Sequence, residues 1–228
     1  MRLRLTLATL AAAFASLLVS PATASAVQVD DGPQEIIGGT TVSSAPWAAA
    51  VFRNGSFTCS GTVISSQYVL TAAHCTGSGM AVRIGSVYRA SGGTVVSVAS
   101  YRTRYDLAVL RLASPVSASA VPLASANPPV GSTNSIYGWG MTCRSGCQPS
   151  PQLKTASVRV TSFTTDAYGG PAIASTRVTG NAWSGDSGGP QFYNGQQVGV
   201  ASTADGVSRQ YYASVASSRA WIRSVTGV

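Results

Sequence analysis

Residues 59–75 have the sequence CSGTVISSQYVLTAAHC. This stretch contains a β-rich run at residues 62–64, two of the four cysteines and the only histidine of the chain, His74. Comparable β-rich runs recur along the chain between turn residues, and no long helical repeat is present. The pattern predicts an all-β sandwich or barrel.

The β-rich runs fall into two groups on either side of a connector rich in proline and serine, residues 114–131. We therefore expect one lobe at residues 36–113, a second at 132–215, and a C-terminal helix at about 217–225. Asn54-Gly55 and Asn194-Gly195 each separate two such runs and predict tight hairpins. The runs are residues 48–52, 62–64, 82–84, 95–98, 107–112, 157–160, 197–201 and 210–215.

The N-terminus is typical of an exported protein. Two arginines precede an apolar run at residues 5–19, and Ala24-Ser25-Ala26 offers a cleavage site, so residues 1–26 are interpreted as a signal peptide. The alternative is a membrane anchor, but the run is shorter than the ~20 residues that a span needs. Residues 27–35 are interpreted as a pro-segment, or alternatively as a disordered tail without a role.

Four cysteines in an exported chain favour disulfides, with three pairings possible. Cys143 and Cys147 are close together within a loop, so we expect them to pair. That leaves a Cys59–Cys75 bridge.

The chain has a formal net charge of +8, from 15 basic and 7 acidic residues. Its arginines are scattered, whereas nucleic-acid binding needs a clustered basic patch, so the charge is interpreted as a solvated surface. Only four acidic residues follow residue 35, and each is expected to have a specific task. They are Asp106, Asp166, Asp186 and Asp205.

Three residues in the order His, Asp, Ser have the chemistry of nucleophilic catalysis. His74 precedes Cys75, which a disulfide would fix, and a fixed imidazole suits a general base. Asp106 stands just before a strongly apolar run and needs a partner such as a histidine N–H. Ser187 lies in GDSGG, where its own N–H and that of Gly185 can point the same way and stabilise an oxyanion.

The chain from residue 36 onward resembles the chymotrypsin/trypsin family of serine endopeptidases, of bacterial secreted type. The motifs that carry the resemblance are IIGG (36–39), residues 59–75, DLAVLRL (106–112), GWG (138–140), GDSGGP (185–190) and WI (221–222). The resemblance implies two six-stranded antiparallel β-barrels with the active site between them. It implies Ser187 as nucleophile, His74 as base and Asp106 as orienting acid, with oxyanion donors on Gly185 and Ser187. It also supports the Cys59–Cys75 bridge.

The resemblance gives Asp186 a role in activation. In this family the aspartate before the serine pairs with the α-amino group that cleavage before an Ile-x-Gly-Gly start releases. Here the pair would be Ile36 and Asp186, and the cut would follow Glu35. The alternative is that Asp186 only caps a turn.

The resemblance also implies where the substrate pocket lies. Its base would be Asn181, a neutral amide that cannot form the ion pair that selects arginine or lysine. Its wall would include Ser202, Thr203 and Ala204, and the methyl group of Ala204 would narrow it. The nearby Asp205 could alter the pocket charge, or it could be an ordinary loop residue.

These observations predict a secreted serine endopeptidase made as a zymogen, with residues 36–228 as the protease domain. An inactive protease-like binding protein and an esterase with the same triad are the alternatives. No cofactor or metal is expected. Expected partners are polypeptide substrates, a protease that cuts after Glu35, and protein protease inhibitors. We expect no nucleic acid or membrane partner, and a monomer.

Overall fold

The computed structural model describes residues 36–228; the expected signal peptide and pro-segment lie outside these residues. The strands are β1 (Ile37–Gly38), β2 (Thr40–Thr41), β3 (Ala48–Arg53), β4 (Ser56–Ser65), β5 (Tyr68–Ala72), β6 (Met80–Ile84), β7 (Thr94–Arg104), β8 (Leu107–Leu112), β9 (Thr133–Gly138), β10 (Lys154–Thr165), β11 (Pro171–Arg177), β12 (Gly180–Asn181), β13 (Pro190–Tyr193), β14 (Gln196–Ala204) and β15 (Arg209–Ser214). A 3₁₀ helix spans Ala73–Cys75, and an α-helix, α1, spans Val215–Thr226.

The first barrel is closed and antiparallel, in the order β3-β4-β5-β8-β7-β6. Its interior is filled by aliphatic side chains such as Val51, Leu70 and Leu110, each almost fully buried. The hairpin at Asn54-Gly55 is confirmed: both residues have positive φ, 48° and 80°. This is the backbone that a two-residue turn needs to match the twist of the strands.

The second barrel follows the order β11-β15-β14-β13-β9-β10 and closes through the pairing of β10 with β11. The hairpin at Asn194-Gly195 joins β13 to β14 and is confirmed as well. The expected fold, two six-stranded antiparallel barrels followed by a C-terminal helix, is therefore the fold of this chain.

The N-terminal residues differ from the expected lobe boundary. β1 pairs with β12 and β2 pairs with β10, so both strands belong with the second barrel although they precede the first in sequence. Gly38 makes this possible, because it has φ +82° and a Cβ there would overlap the Thr179 carbonyl oxygen. The pairing brings the start of the described chain beside the strand that leads to GDSGG.

The C-terminal helix crosses back onto the first barrel. Ser214 caps its first turn by accepting a hydrogen bond from the Ser217 N–H at 3.1 Å. Ile222 is fully buried and belongs to the same apolar cluster as the first-barrel core. The helix begins two residues before the expected boundary. Within residues 36–228, no helix has the length and apolar character required to cross a bilayer.

Candidate active site

His74 and Asp106 meet in the cleft between the barrels. His74 lies in the 3₁₀ turn after β5, and Asp106 lies just before β8. The imidazole Nδ1 is 2.9 Å from each oxygen of the Asp106 carboxylate. The backbone N–H of His74 donates to Asp106 Oδ1 at 3.1 Å, so the carboxylate holds the histidine at both its ring and its backbone.

The Asp106 carboxylate is fully buried yet stays ionised. Burial by itself would raise its pKa, but hydrogen bonds from His74 and from the Ser202 hydroxyl outweigh that effect. The pKa of Asp106 therefore lies below its ordinary value. Ser202 Oγ donates to Asp106 Oδ2 at 2.5 Å. The imidazole ring faces a stable negative charge and is itself about 30% exposed toward the cleft.

Ser187 lies in a loop that is pressed against the first barrel. Its carbonyl accepts a hydrogen bond from the Ser60 N–H at 2.8 Å. The next residue, Gly188, has φ +80°, and a Cβ there would overlap Thr71 of β5. Glycine is therefore required for this close approach, which places Ser187 beside β5, the strand that leads into the turn containing His74. Within residues 36–228 no hydrogen bond joins the Ser187 hydroxyl to His74, a bond that often tightens only with substrate.

The backbone N–H groups of Gly185 and Ser187 are available to a ligand. In residues 36–228 neither donates a hydrogen bond to a protein acceptor, although the neighbouring Asp186 N–H donates to Trp183 O at 3.0 Å. Gly185 has φ +96°, a conformation that L side chains rarely adopt. Its carbonyl accepts a hydrogen bond from Ser60 Oγ at 3.0 Å, which fixes this turn of the loop.

Asp186 and Ile36 are both buried but are not paired. The carboxylate accepts hydrogen bonds from the N–H groups of Gly140, at 2.7 Å, and Trp183, at 2.9 Å. Burial raises the pKa of Asp186 to about 7, although those bonds and the charge of Lys154 lower it. The Ile36 nitrogen is an amide here, because Glu35 precedes it, and it forms no hydrogen bond with Asp186 among the described residues.

A cavity of about 220 Å³ opens beside Ser187. Of the expected pocket residues, Ser202, Thr203 and Ala204 line it, whereas Asn181 does not. Asn181 is fully buried in β12, and its Nδ2 donates to the Ala182 carbonyl at 2.9 Å. Its amide is thereby turned toward its own backbone. The remaining lining residues are Ala182, Trp183, Ser184 and Ala201.

Gln210 contacts two residues of this cavity's lining and was missed by the sequence interpretation. It is fully buried in β15, directly opposite Ala204 in the pairing with β14. Its Oε1 accepts a hydrogen bond at 2.9 Å from the N–H of Ala182, a residue that lines the cavity. The available signal was the alternation along β15, which places Gln210 on the inward face with Tyr212.

The structure contains the disulfides Cys59–Cys75 and Cys143–Cys147. The first anchors the residue next to His74 to β4. Among the described residues, one group has the composition of a metal site, namely Cys59, His74 and Cys75, with ligand atoms within 4.8 Å of one another. Its two sulfurs are bonded to each other, so no thiolate is available there.

Comparison with known sequences shows the family. Residues 36–222 match the family model described as Trypsin. The chain is 38% identical to trypsin delta of Drosophila erecta, over 82% of this chain and 87% of that protein. It is 37% identical to trypsin alpha of Drosophila melanogaster, over 83% of this chain and 86% of that protein. The chain therefore belongs to the trypsin family and is a serine endopeptidase. These relatives are insect proteins and do not support the narrower expectation of a bacterial type.

Solved structures show the same fold. The human heparin binding protein superposes with a TM-score of 0.75 at 24% identity, covering 84% of this chain and 96% of that one. Mouse brain neuropsin, a serine protease, superposes with a TM-score of 0.71 at 23% identity, covering 79% of this chain and 94% of that one. At these identities the likeness establishes the fold alone.

Proposed function

We propose that the chain is a secreted serine endopeptidase, made as a zymogen, that hydrolyses peptide bonds through an acyl-enzyme on Ser187. The observation that carries the proposal is the contact of the His74 imidazole with both oxygens of the buried Asp106, at 2.9 Å, in the cleft that contains Ser187. This contact fixes the tautomer, with the proton on Nδ1 and a free lone pair on Nε2.

In the proposed reaction, Ser187 Oγ attacks the scissile carbonyl while His74 Nε2 takes the hydroxyl proton. Asp106 stabilises the imidazolium without taking the proton itself. The unoccupied N–H groups of Gly185 and Ser187 donate to the oxyanion of the tetrahedral intermediate. When the C–N bond breaks, His74 gives its proton to the departing amine, and water then releases the acid from Ser187 by the same steps.

Membership of the trypsin family supports the proposal of export and zymogen production. The sequence of residues 1–35, interpreted as a signal peptide and a pro-segment, supports it as well. We propose that a cut between Glu35 and Ile36 frees an ammonium group, which enters the interior and pairs with Asp186. Asp186 lies between Gly185 and Ser187, so the new pair would order both oxyanion donors. N-terminal sequencing of active protein tests this step, and full activity in a chain that begins at Val27 contradicts it.

One labelling reagent and one variant test the triad. Phosphonylating reagents should label Ser187 in the mature protein, and His74→Ala should lower turnover by several orders of magnitude, because the triad acts as a unit. Casein digestion separates an endopeptidase from an esterase, which would turn over only small esters. Failure of both labelling and digestion would instead favour the protease-like binding protein.

We propose that the pocket favours small uncharged residues at the cleaved bond. None of the described residues that line it is acidic, and its volume of about 220 Å³ is below the ~300–1,000 Å³ of drug-sized pockets. Gln210 is fully buried and bonds the N–H of Ala182, one of the lining residues, so we propose that its side chain limits the depth of the pocket. In a series of peptides, Gln210→Gly should raise kcat/KM for leucine and phenylalanine about 10–200-fold relative to alanine.

The matched control is Gln197→Ala, which removes another buried glutamine of the second barrel whose amide bonds to the Gly199 carbonyl, away from the cavity. The control should not change the preference. Cleavage of a mixed peptide library only after arginine and lysine would refute the proposed preference.

A further inference from the structure

The loop between β10 and β11 is closed by one oxygen of an aspartate. Asp166 is 8% exposed, and its Oδ1 accepts hydrogen bonds from the N–H groups of Tyr168, at 2.9 Å, and Gly170, at 2.8 Å. Its own N–H donates to the Gly170 carbonyl at 2.7 Å. These bonds need only one carboxylate oxygen, so the second oxygen, Oδ2, is left for another partner.

That second oxygen reaches the other barrel. Asp166 Oδ2 accepts a hydrogen bond from the backbone N–H of Asp106 at 3.2 Å. The next loop residue, Ala167, donates its N–H to Ser202 Oγ at 3.0 Å, and Ser202 donates in turn to the Asp106 carboxylate. The loop therefore holds Asp106 at two points, directly at its backbone and through Ser202 at its side chain.

The backbone beside Asp106 needs such support. Tyr105 has φ +50°, in the left-handed region, although it is neither glycine nor asparagine. Conformations of this kind are strained for a residue with a side chain and persist only where the surroundings impose them. Gly170 of the same loop lies against Tyr105, and a Cβ on Gly170 would overlap the tyrosine side chain. Tyr105 and Asp106 are thus both held by this one loop of the second barrel.

Asp205 also closes a loop, but unlike Asp166 its carboxylate bonds only within that loop. Its Oδ1 accepts three hydrogen bonds, all from backbone N–H groups of residues 207–209. Among residues 36–228 its Oδ2 contacts only the side chain of Arg209, at 3.5 Å, within the same turn. Asp205 does not line the cavity beside Ser187. Asp166 differs because one of its oxygens crosses to the first barrel and bonds the residue that orients His74.

We propose that Asp166 is a positioning residue of the active site, which holds the Tyr105–Asp106 turn so that the Asp106 carboxylate meets His74. Asp166 touches neither substrate nor the reacting atoms and acts only through Asp106. The proposal rests on the orienting role proposed above for Asp106. It predicts that loss of the Asp166–Asp106 bond lowers turnover in protein that remains folded and keeps its substrate pocket.

The decisive variant is Asp166→Asn in the mature protein. The asparagine keeps one acceptor oxygen for the Tyr168 and Gly170 N–H groups, but it presents an NH₂ group to the Asp106 N–H. Two donors then face each other, and the crossing bond is lost while the loop stays closed. A misplacement of about 1 Å in an active site can cost ~10²-fold, so we expect kcat to fall about 10–100-fold with KM changed less than about threefold.

The matched control is Asp205→Asn, which keeps the oxygen that closes its own loop. Turnover is expressed per active site labelled by a phosphonylating reagent, so that misfolded molecules do not count. The control should keep kcat within about twofold of the parent. In a Tyr105→Gly background, the loss caused by Asp166→Asn should shrink, because glycine adopts the left-handed turn without strain.

Each outcome separates this inference from the proposed function. The positioning role is overturned if the parent is active and Asp166→Asn keeps the parent's kcat per labelled site, or lowers kcat no more than Asp205→Asn does. The endopeptidase proposal then stays intact. An equal loss from Asp166→Asn with and without Tyr105→Gly overturns the part assigned to the strained turn. A mature parent that is neither labelled nor active overturns both proposals.

Discussion

The uncut chain should lose stability as the pH rises, because the Asp186 carboxylate is buried without the ammonium proposed to pair with it. A Cβ on Gly138 or Gly140 would overlap this carboxylate, so the protein encloses it tightly. Its pKa is raised from 3.8 to about 7, chiefly by burial. Each pKa unit corresponds to 1.36 kcal/mol, so ionisation of this group costs the folded uncut chain about 4 kcal/mol.

The sign of the effect follows from the two pKa values. Below pH 3.8 the group is protonated in both the folded and the unfolded chain and costs nothing. As the pH rises from 3.8 to about 7, the unfolded chain releases its proton first, so the free energy of unfolding falls. Above pH 7 the loss is complete and constant. Asp186→Asn carries no charge at any pH and should remove this part of the pH dependence.

The measurement is urea unfolding of the uncut chain between pH 4 and pH 8. Both proteins carry Ser187→Ala, which prevents self-digestion, and they differ only at Asp186. The asparagine variant should gain about 4 kcal/mol relative to its parent from pH 4 to pH 8. A difference between the two proteins that stays constant over this range would refute the account of an unpaired buried carboxylate. In mature protein, where Ile36 carries an ammonium, the gain should be much smaller.

Three further sets of substitutions should lower turnover or stability by amounts that can be stated. Asp106→Asn should lower kcat about 10⁴-fold while the folded structure is kept, measured as turnover per labelled active site; a loss below tenfold would contradict the orienting role. Replacing both Cys59 and Cys75 by alanine should cost about 3 kcal/mol, since the bridge closes a separation of 16 residues, and an unchanged urea midpoint would contradict this value. Ser214→Ala should cost about 1 kcal/mol through loss of the helix cap, measured by thermal unfolding, and an unchanged melting temperature would show that the cap contributes nothing.

Much of this molecule could be inferred from local sequence. The all-β class and the hairpins at Asn54-Gly55 and Asn194-Gly195 follow from the alternation of β-rich runs and from residues that tolerate positive φ. His74, Asp106 and Ser187 could be proposed as a catalytic set because each stands in a motif whose chemistry is local. A single histidine and only four acidic residues after residue 35 left few other candidates.

Other features depend on contacts between segments far apart in the chain. Three examples are the pairing of β1 and β2 with strands of the second half of the chain, the bond from the Ala182 N–H to Gln210, and the bond from the Asp106 N–H to Asp166. No local pattern encodes them, because a hydrogen bond between residues 60 positions apart depends on how the two barrels close and pack. The sequence by itself determined which groups are candidates for the chemistry. The tertiary structure decided which buried polar atoms meet them, since burial removes water and leaves only the partners that the fold supplies.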